Sequence, residues 1–330
     1  MMLGKRRKYL QYRLITSRWT LPISIVIAVL YWLLSANHSA AVAPSPSDHF
    51  LVQWLPLWSN YFLSFAISIL IASVLIVANN TFALIRVRTT FQATVYILLT
   101  AACPVMHTVH AGSVAVLCYL LAIFLLFRNY QHPNPTGSMF HIFLLFGVGS
   151  FCFPQLTWLL PIIWIGAYRF QELSIRSFFA SLLGWSFPYW LLFGHAYFYG
   201  QMEMFYQPFT EMFAFSSWQF EATPYEWMFY AYIMLLFLIS ATHIIVSGNE
   251  DKLRTRNFLS FLVSIHFYII LCVLLQPQHI HQWLPLLLPG VAVQIAHLFV
   301  LTGNRISNIF FLSMLISLIT LFIYTLWMLF

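Results

Sequence analysis

Apolar residues in this chain come in long runs, each closed by a few polar residues, Pro or Gly. The runs lie at about 19–36, 60–78, 90–106, 109–127, 139–153, 156–168, 177–199, 227–247, 258–275, 283–302 and 306–329. Most approach the roughly 20 residues that a helix, rising about 1.5 Å per residue, needs to cross hydrocarbon. A membrane barrel would alternate polar and apolar positions instead. The pattern predicts an all-α polytopic integral membrane protein with about eleven transmembrane helices.

Composition narrows the class further. The chain is 61% hydrophobic and 19% aromatic but only 7% charged, whereas a soluble domain carries about 25% charged residues. Soluble enzymes and disordered tails are excluded. The net charge of +7 invites a nucleic-acid reading, but no basic cluster is interleaved with exposed aromatics on a soluble element. No nucleic-acid partner is expected, and membrane lipids are the expected surroundings.

The positions of the charges give an orientation. Lys and Arg gather between runs: Lys5 to Lys8 with Arg13 and Arg18, Arg86 and Arg88, Arg128, Arg169 and Arg176, Lys252 with Arg254 and Arg256, and Arg305. With the N-terminus in the cytoplasm, eleven crossings put all fifteen basic residues inside and the C-terminus outside, as the positive-inside rule requires. Outside then stand Asp48, Glu203, Glu211, Glu221 and Glu226, while Glu172, Glu250 and Asp251 stay inside beside basic partners. Fusing the short runs 139–153 and 156–168 across Pro154 would put six basic residues outside. A re-entrant pair meeting at Phe153-Pro154-Gln155 keeps the same parity and stands as the alternative to two crossings.

The organisation expected is a basic cytoplasmic segment, 1–18, and a single helical membrane domain, 19–330, with outer loops 37–59 and 200–226. Ala41-Val42-Ala43 imitates a signal-peptidase site, but Pro44 would follow the cut, so the first span is expected to be retained. The setting implied is a multi-pass protein of a bacterial inner membrane.

Candidate chemistry concentrates in the outer loops. Asp48 is the sole acidic residue before Glu172 and precedes an interfacial stretch, Phe50 to Trp58. A carboxylate there can serve as a general base, or cap a short interfacial helix. Loop 200–226 mixes Glu203 and Glu211 with many aromatics, and is expected to lie on the outer leaflet or fold back over the bundle. Its polar side would bind an amphiphile, or its aromatics would simply anchor it. His107-x-x-His110 and His279-x-His281 have spacings open to metal binding, but each occupies a tight outer turn and no cofactor or metal site is assigned. Cys103, Cys118, Cys152 and Cys272 read as packing residues, with a Cys103–Cys152 disulfide conceivable. No nucleotide-binding or hydrolase motif occurs. His266 alone is clearly mid-span, which counts against an ion-coupled transporter.

The stretch from His110 to Arg128, the turn Pro133 to Gly137, and Phe143 to Arg169 with Phe153-Pro154-Gln155 at its middle resemble an uncharacterised family of inner-membrane proteins of Bacteroidota. More distantly, residues 1–200 are similar in helix order to the membrane core of GT-C glycosyltransferases. That resemblance implies an outer loop carrying a catalytic acid after the first span, which is the position of Asp48, with Glu203, His107 and His110 in support. It implies glycosyl transfer from a polyprenyl-linked donor at the outer leaflet. The chain departs from that pattern in lacking a second acidic or Arg-containing motif after the third span and any appended soluble domain. A non-catalytic assembly or binding component of the envelope, with a protein partner, is therefore the alternative, and a transporter the third reading.

Overall fold

The computed structural model describes residues 10–38, 56–215 and 223–329, so Asp48 and His49, the Ala41 to Pro44 stretch and Glu221 lie outside the described residues. Among the described residues the chain is all helical, without strands. In chain order the helices are α1 (Leu10–Thr16), α2 (Thr20–His38), α3 (Leu57–Phe82), α4 (Phe91–Ala101), α5 (Ala111–Arg128), α6 (Thr136–Cys152), α7 (Leu160–Arg169), α8 (Ile175–Phe198), α9 (Glu203–Met212), α10 (Pro224–Ser247), α11 (Leu253–Leu275), α12 (Ile280–Leu301) and α13 (Arg305–Leu329). Short 3-10 turns precede α5, α7, α11 and α12.

Every apolar run of the sequence contains a helix, though not every run is helical throughout. By length and composition, six described helices can cross a membrane: α3, α5, α10, α11, α12 and α13. A seventh follows if α1 and α2, bent by 86° at Ser17 to Trp19, form one span. Helices α4 and α6 are apolar but shorter. The run at 90–106 is helical only to Ala101, because Pro104 lacks the N–H that would continue the ladder. Residues Cys103 to His110 continue as irregular chain and a 3-10 turn, almost wholly buried. Non-helical backbone at such depth is tolerated where protein encloses it.

The run pair around Pro154 is a hairpin. Helix α6 ends at Cys152, Phe153 turns the chain, and the 3-10 turn Pro154–Leu159 leads directly into α7. Helix α8 lies along α6 at backbone contact distance. A Cβ at Gly147 would stand 2.6 Å from the Trp185 carbonyl oxygen, and one at Gly184 would strike the Phe140 carbonyl. Small residues serve here as they do between membrane helices generally, letting dispersion contacts substitute for a hydrophobic driving force that lipid does not supply. Of the six helices long enough to cross, α12 is the most enclosed, with 83% of its apolar window buried. Gly290 on α12 lies directly against the His266 ring of α11, leaving no room for a side chain.

Hydrogen bonds tie the helix termini into two groups. At what we call the basic end, Gln11 of α1 donates to the carbonyls of Phe299 and Thr302 at 2.6 and 2.9 Å. Asn129 reaches Glu172, Asn257 reaches the Tyr130 hydroxyl, and Arg86 pairs with Asp251. Beneath these bonds Phe127 stacks on Phe258 at 4.3 Å, and the Arg254 guanidinium stands 5.3 Å from the Phe258 ring, a cation–π contact. At the opposite end Asn60 accepts from Val109 N at 2.7 Å, Ser64 donates to Met106 O, and Tyr225 donates to Ala102 O.

Candidate functional site

The opposite end is roofed by α9. Its Phe205 and Phe209, four residues apart and so on one face, pack on Phe193 and Tyr189 of α8 at 5.3 and 5.1 Å. A helix leaves its last carbonyls without intrahelical partners, and here side chains of the bundle supply the donors. Gln155 Nε2 donates to Glu211 O at 3.2 Å, and Gln276 Nε2 and Trp158 Nε1 donate to Met212 O at 2.9 and 3.3 Å. Gln278 Nε2 donates to Ala214 O just beyond, at 2.7 Å. Three glutamines and a tryptophan from two separate turns thus fix one helix terminus. The expected fold-back of loop 200–226 takes this form for its described part, and Gln155 lies sealed beneath it, 1% exposed.

Beside this roof an acid, an imidazole and a phenol meet. Glu226 caps its own helix, α10, by accepting from Thr223 N at 2.7 Å and from the Thr223 hydroxyl at 3.0 Å. Its other oxygen stands 3.9 Å from His281 Nδ1, and the Tyr230 hydroxyl stands 3.0 Å from that same nitrogen. Glu226 and Tyr230 share a face of α10 by their four-residue spacing, and His281 comes from the start of α12. The Glu226 side chain is 13% exposed and the His281 side chain 31%, so the group is reachable from the surface. It can hold the hydroxyls of a ligand. His279 turns inward, its Nε2 2.9 Å from Gln155 Nε2. Among the described residues, no three His, Cys, Asp or Glu side chains are grouped to hold a metal ion.

The other residues singled out in the sequence are placed as follows. His107 is buried, its Nε2 3.1 Å from Ala101 O and its ring 4.1 Å from that of Trp32. Burial pushes its pKa down to about 4, so it is a neutral ring at physiological pH. His110 caps α5, with Nδ1 3.0 Å from the Ser113 hydroxyl. Glu203 opens α9 and is exposed, a favourable place for a carboxylate against the helix dipole. His107 and His110 belong to the turn beside α2 and α3, whereas Glu203 stands on the roof helix against α8. The four cysteines are free thiols.

The basic end carries a second polar cluster that the sequence did not reveal. Asp251, 1% exposed, pairs with Arg86 and stands 3.4 Å from His297 Nε2. The His243 ring lies 5.8 Å from that of His297, and Glu250 stands 3.8 Å from Arg86. Arg86 is held in a left-handed conformation, φ 59°. Asn79 fixes that turn, accepting from Ile85 N and donating to Val87 O at 2.9 and 3.1 Å. Glu172 is also buried, and accepts from Asn129 at 3.1 Å. Burial raises its carboxyl pKa to about 8.

Compared with known proteins, the chain matches no family model, no curated protein and no solved structure.

Proposed function

We propose that this protein is a multi-pass component of a bacterial inner membrane that handles a lipid-linked sugar or related amphiphile at the outer leaflet. In this reading the chain crosses eleven times, with the basic end in the cytoplasm and the α9 roof outside. The observation that carries it is the juxtaposition of α9, an amphipathic aromatic helix, with the accessible Glu226–His281–Tyr230 group at one end of the bundle. Aromatic rings at the lipid–water boundary suit an acyl or polyprenyl chain, and a carboxylate, imidazole and phenol suit a hydroxyl-rich head.

Within this reading Tyr230 and His281 bind the head group. Asp48 is the candidate base for a glycosyl transfer in the manner of GT-C enzymes, with Glu203, His107 and His110 in support. Such a base would remove the proton of the acceptor hydroxyl as it attacks the sugar. Native mass spectrometry of the purified full-length protein tests the binding reading. A retained polyprenyl-linked lipid, lost in Tyr230→Phe/His281→Ala, is expected. A protein that retains no such lipid contradicts it. Loss of sugar transfer in Asp48→Asn, with the lipid still bound, would assign the base.

A second reading, a non-catalytic envelope assembly component, draws on the outward surface of the same region. Tyr206, Phe213 and Phe215 are each more than half exposed. Co-purification separates the two, since a stable protein partner lost on Tyr206→Ser/Phe213→Ser, with no lipid retained, identifies assembly.

A further inference from the structure

At the basic end, between the elbow of α1 and α2 and the turn after α3, lies a cavity of about 890 Å³. Leu21, Ile76 and Phe299 contribute apolar wall, and Arg18, Arg88 and Thr90 contribute polar groups. The volume is in the range of sites that enclose small ligands. The elbow is firmly built. Gln11 holds α1 on the α12–α13 turn through Phe299 O, Thr302 O and the Ser307 hydroxyl, and its backbone N–H reaches Asn308.

The charge in this cavity is unbalanced. No acidic residue lines it, and neither Arg18 nor Arg88 forms an ion pair among the described residues. The acids of the basic end are engaged elsewhere, Asp251 and Glu250 with Arg86 and Glu172 with Asn129. The remaining described acids, Glu203, Glu211 and Glu226, belong to the opposite end. Two arginines from separate elements, both exposed, therefore line one cavity without a protein carboxylate. Trp19, 72% exposed and adjacent to Arg18, is the kind of side chain that marks the headgroup level of a bilayer.

A small inorganic anion would leave the apolar wall empty, and a lipid without net charge would offer the two arginines no net negative charge to pair with. We infer that this elbow groove binds an anionic membrane phospholipid, its phosphate between Arg18 and Arg88 and the start of its acyl chains along Leu21, Ile76 and Phe299. Guanidinium suits the task because it offers a phosphate oxygen pair two parallel N–H donors. The inference is independent of the reading of the α9 end and requires no chemistry there.

The test uses the full-length protein in detergent, titrated with phosphatidylglycerol or phosphatidylcholine and read by native mass spectrometry. Preferential retention of phosphatidylglycerol is expected. Arg18→Gln/Arg88→Gln should weaken it about 30-fold, at the usual contribution of a basic residue near an anionic lipid. Arg128→Gln/Arg176→Gln, which removes the same charge from exposed positions outside the groove, should weaken it by no more than about 3-fold. Equal retention of the two lipids, equal loss in both double variants, or displacement of the lipid by millimolar inorganic phosphate would overturn the inference. Should the groove variant fail to fold, the unsubstituted protein decides. Its Tm should rise with phosphatidylglycerol and not with phosphatidylcholine, and equal rises would count against the site.

Discussion

The two ends of the bundle are held by different kinds of interaction. At the basic end a buried carboxylate, Asp251, depends on Arg86 across 165 residues of chain. At the opposite end neutral amides, Gln155, Gln276 and Gln278, hold the backbone carbonyls of a roof helix. Arg86 is about a third exposed and Asp251 buried, so losing Arg86 removes a charged hydrogen bond from a half-buried pair and costs about 2–3 kcal/mol, whereas losing one neutral hydrogen bond costs about 1 kcal/mol. The basic end is thus built to stay closed, while the roof can detach without unfolding what lies beneath.

The largest expected effect follows from that contrast. Arg86→Ala should destabilise the protein by about 2–3 kcal/mol, seen as a fall in Tm in detergent, and Arg86→Ala/Asp251→Asn should recover part of the loss. The contrast between the ends fails if Arg86→Ala is no worse than Gln276→Ala.

Next in size is a pH effect at Glu172. Its folded pKa, about 8, lies above the ordinary carboxylate value of 4.5, so the folded state binds the proton more tightly than the unfolded chain. The stability this provides is complete below pH 4.5 and is lost as pH rises to 8. Glu172→Gln keeps an acceptor for Asn129 and removes the titration. It should raise stability at pH 9 by an amount on the order of 2 kcal/mol, seen as a higher Tm, and leave it nearly unchanged at pH 4. A wild-type Tm that does not fall between pH 5 and 8 relative to the variant would show that Glu172 is not buried in this way.

The smallest effect on stability belongs to the roof. Gln155→Ala and Gln276→Ala should each lower stability by about 1 kcal/mol, yet amide hydrogen exchange across 203–212 should rise sharply while α5, α11 and α12 stay protected. Uniform loss of protection across the bundle would mean that the roof is part of the core.

Much of this arrangement was legible in the apolar runs. The stretch 258–275 became the body of α11, and the pair on either side of Pro154 became a hairpin with its turn at Phe153. The run 90–106 shows the limit. Cys103, Val105 and Met106 are as apolar as a helix interior needs, and hydropathy alone does not distinguish a buried helix from buried irregular chain. Sites were less legible because their members are distant in sequence. Glu226 and His281 were each read as outer groups, but only the packing of α10 against α12 brings them together. Asp251 was expected beside basic partners, but which one was not legible; the left-handed turn at Arg86, 165 residues away, supplies it. Glu172, flanked in sequence by Arg169 and Arg176, bonds to Asn129.

Placing the two ends on opposite sides of a membrane is the central claim, and membrane-impermeant maleimide labelling of single cysteines in spheroplasts tests it most directly. Gln201 and Asn134 are exposed, one at the foot of the roof helix and one in the turn between α5 and α6. Gln201→Cys should label in intact spheroplasts and Asn134→Cys only after permeabilisation. The reverse order, or labelling of both from outside, would contradict a cytoplasmic basic end and with it the outer-leaflet function.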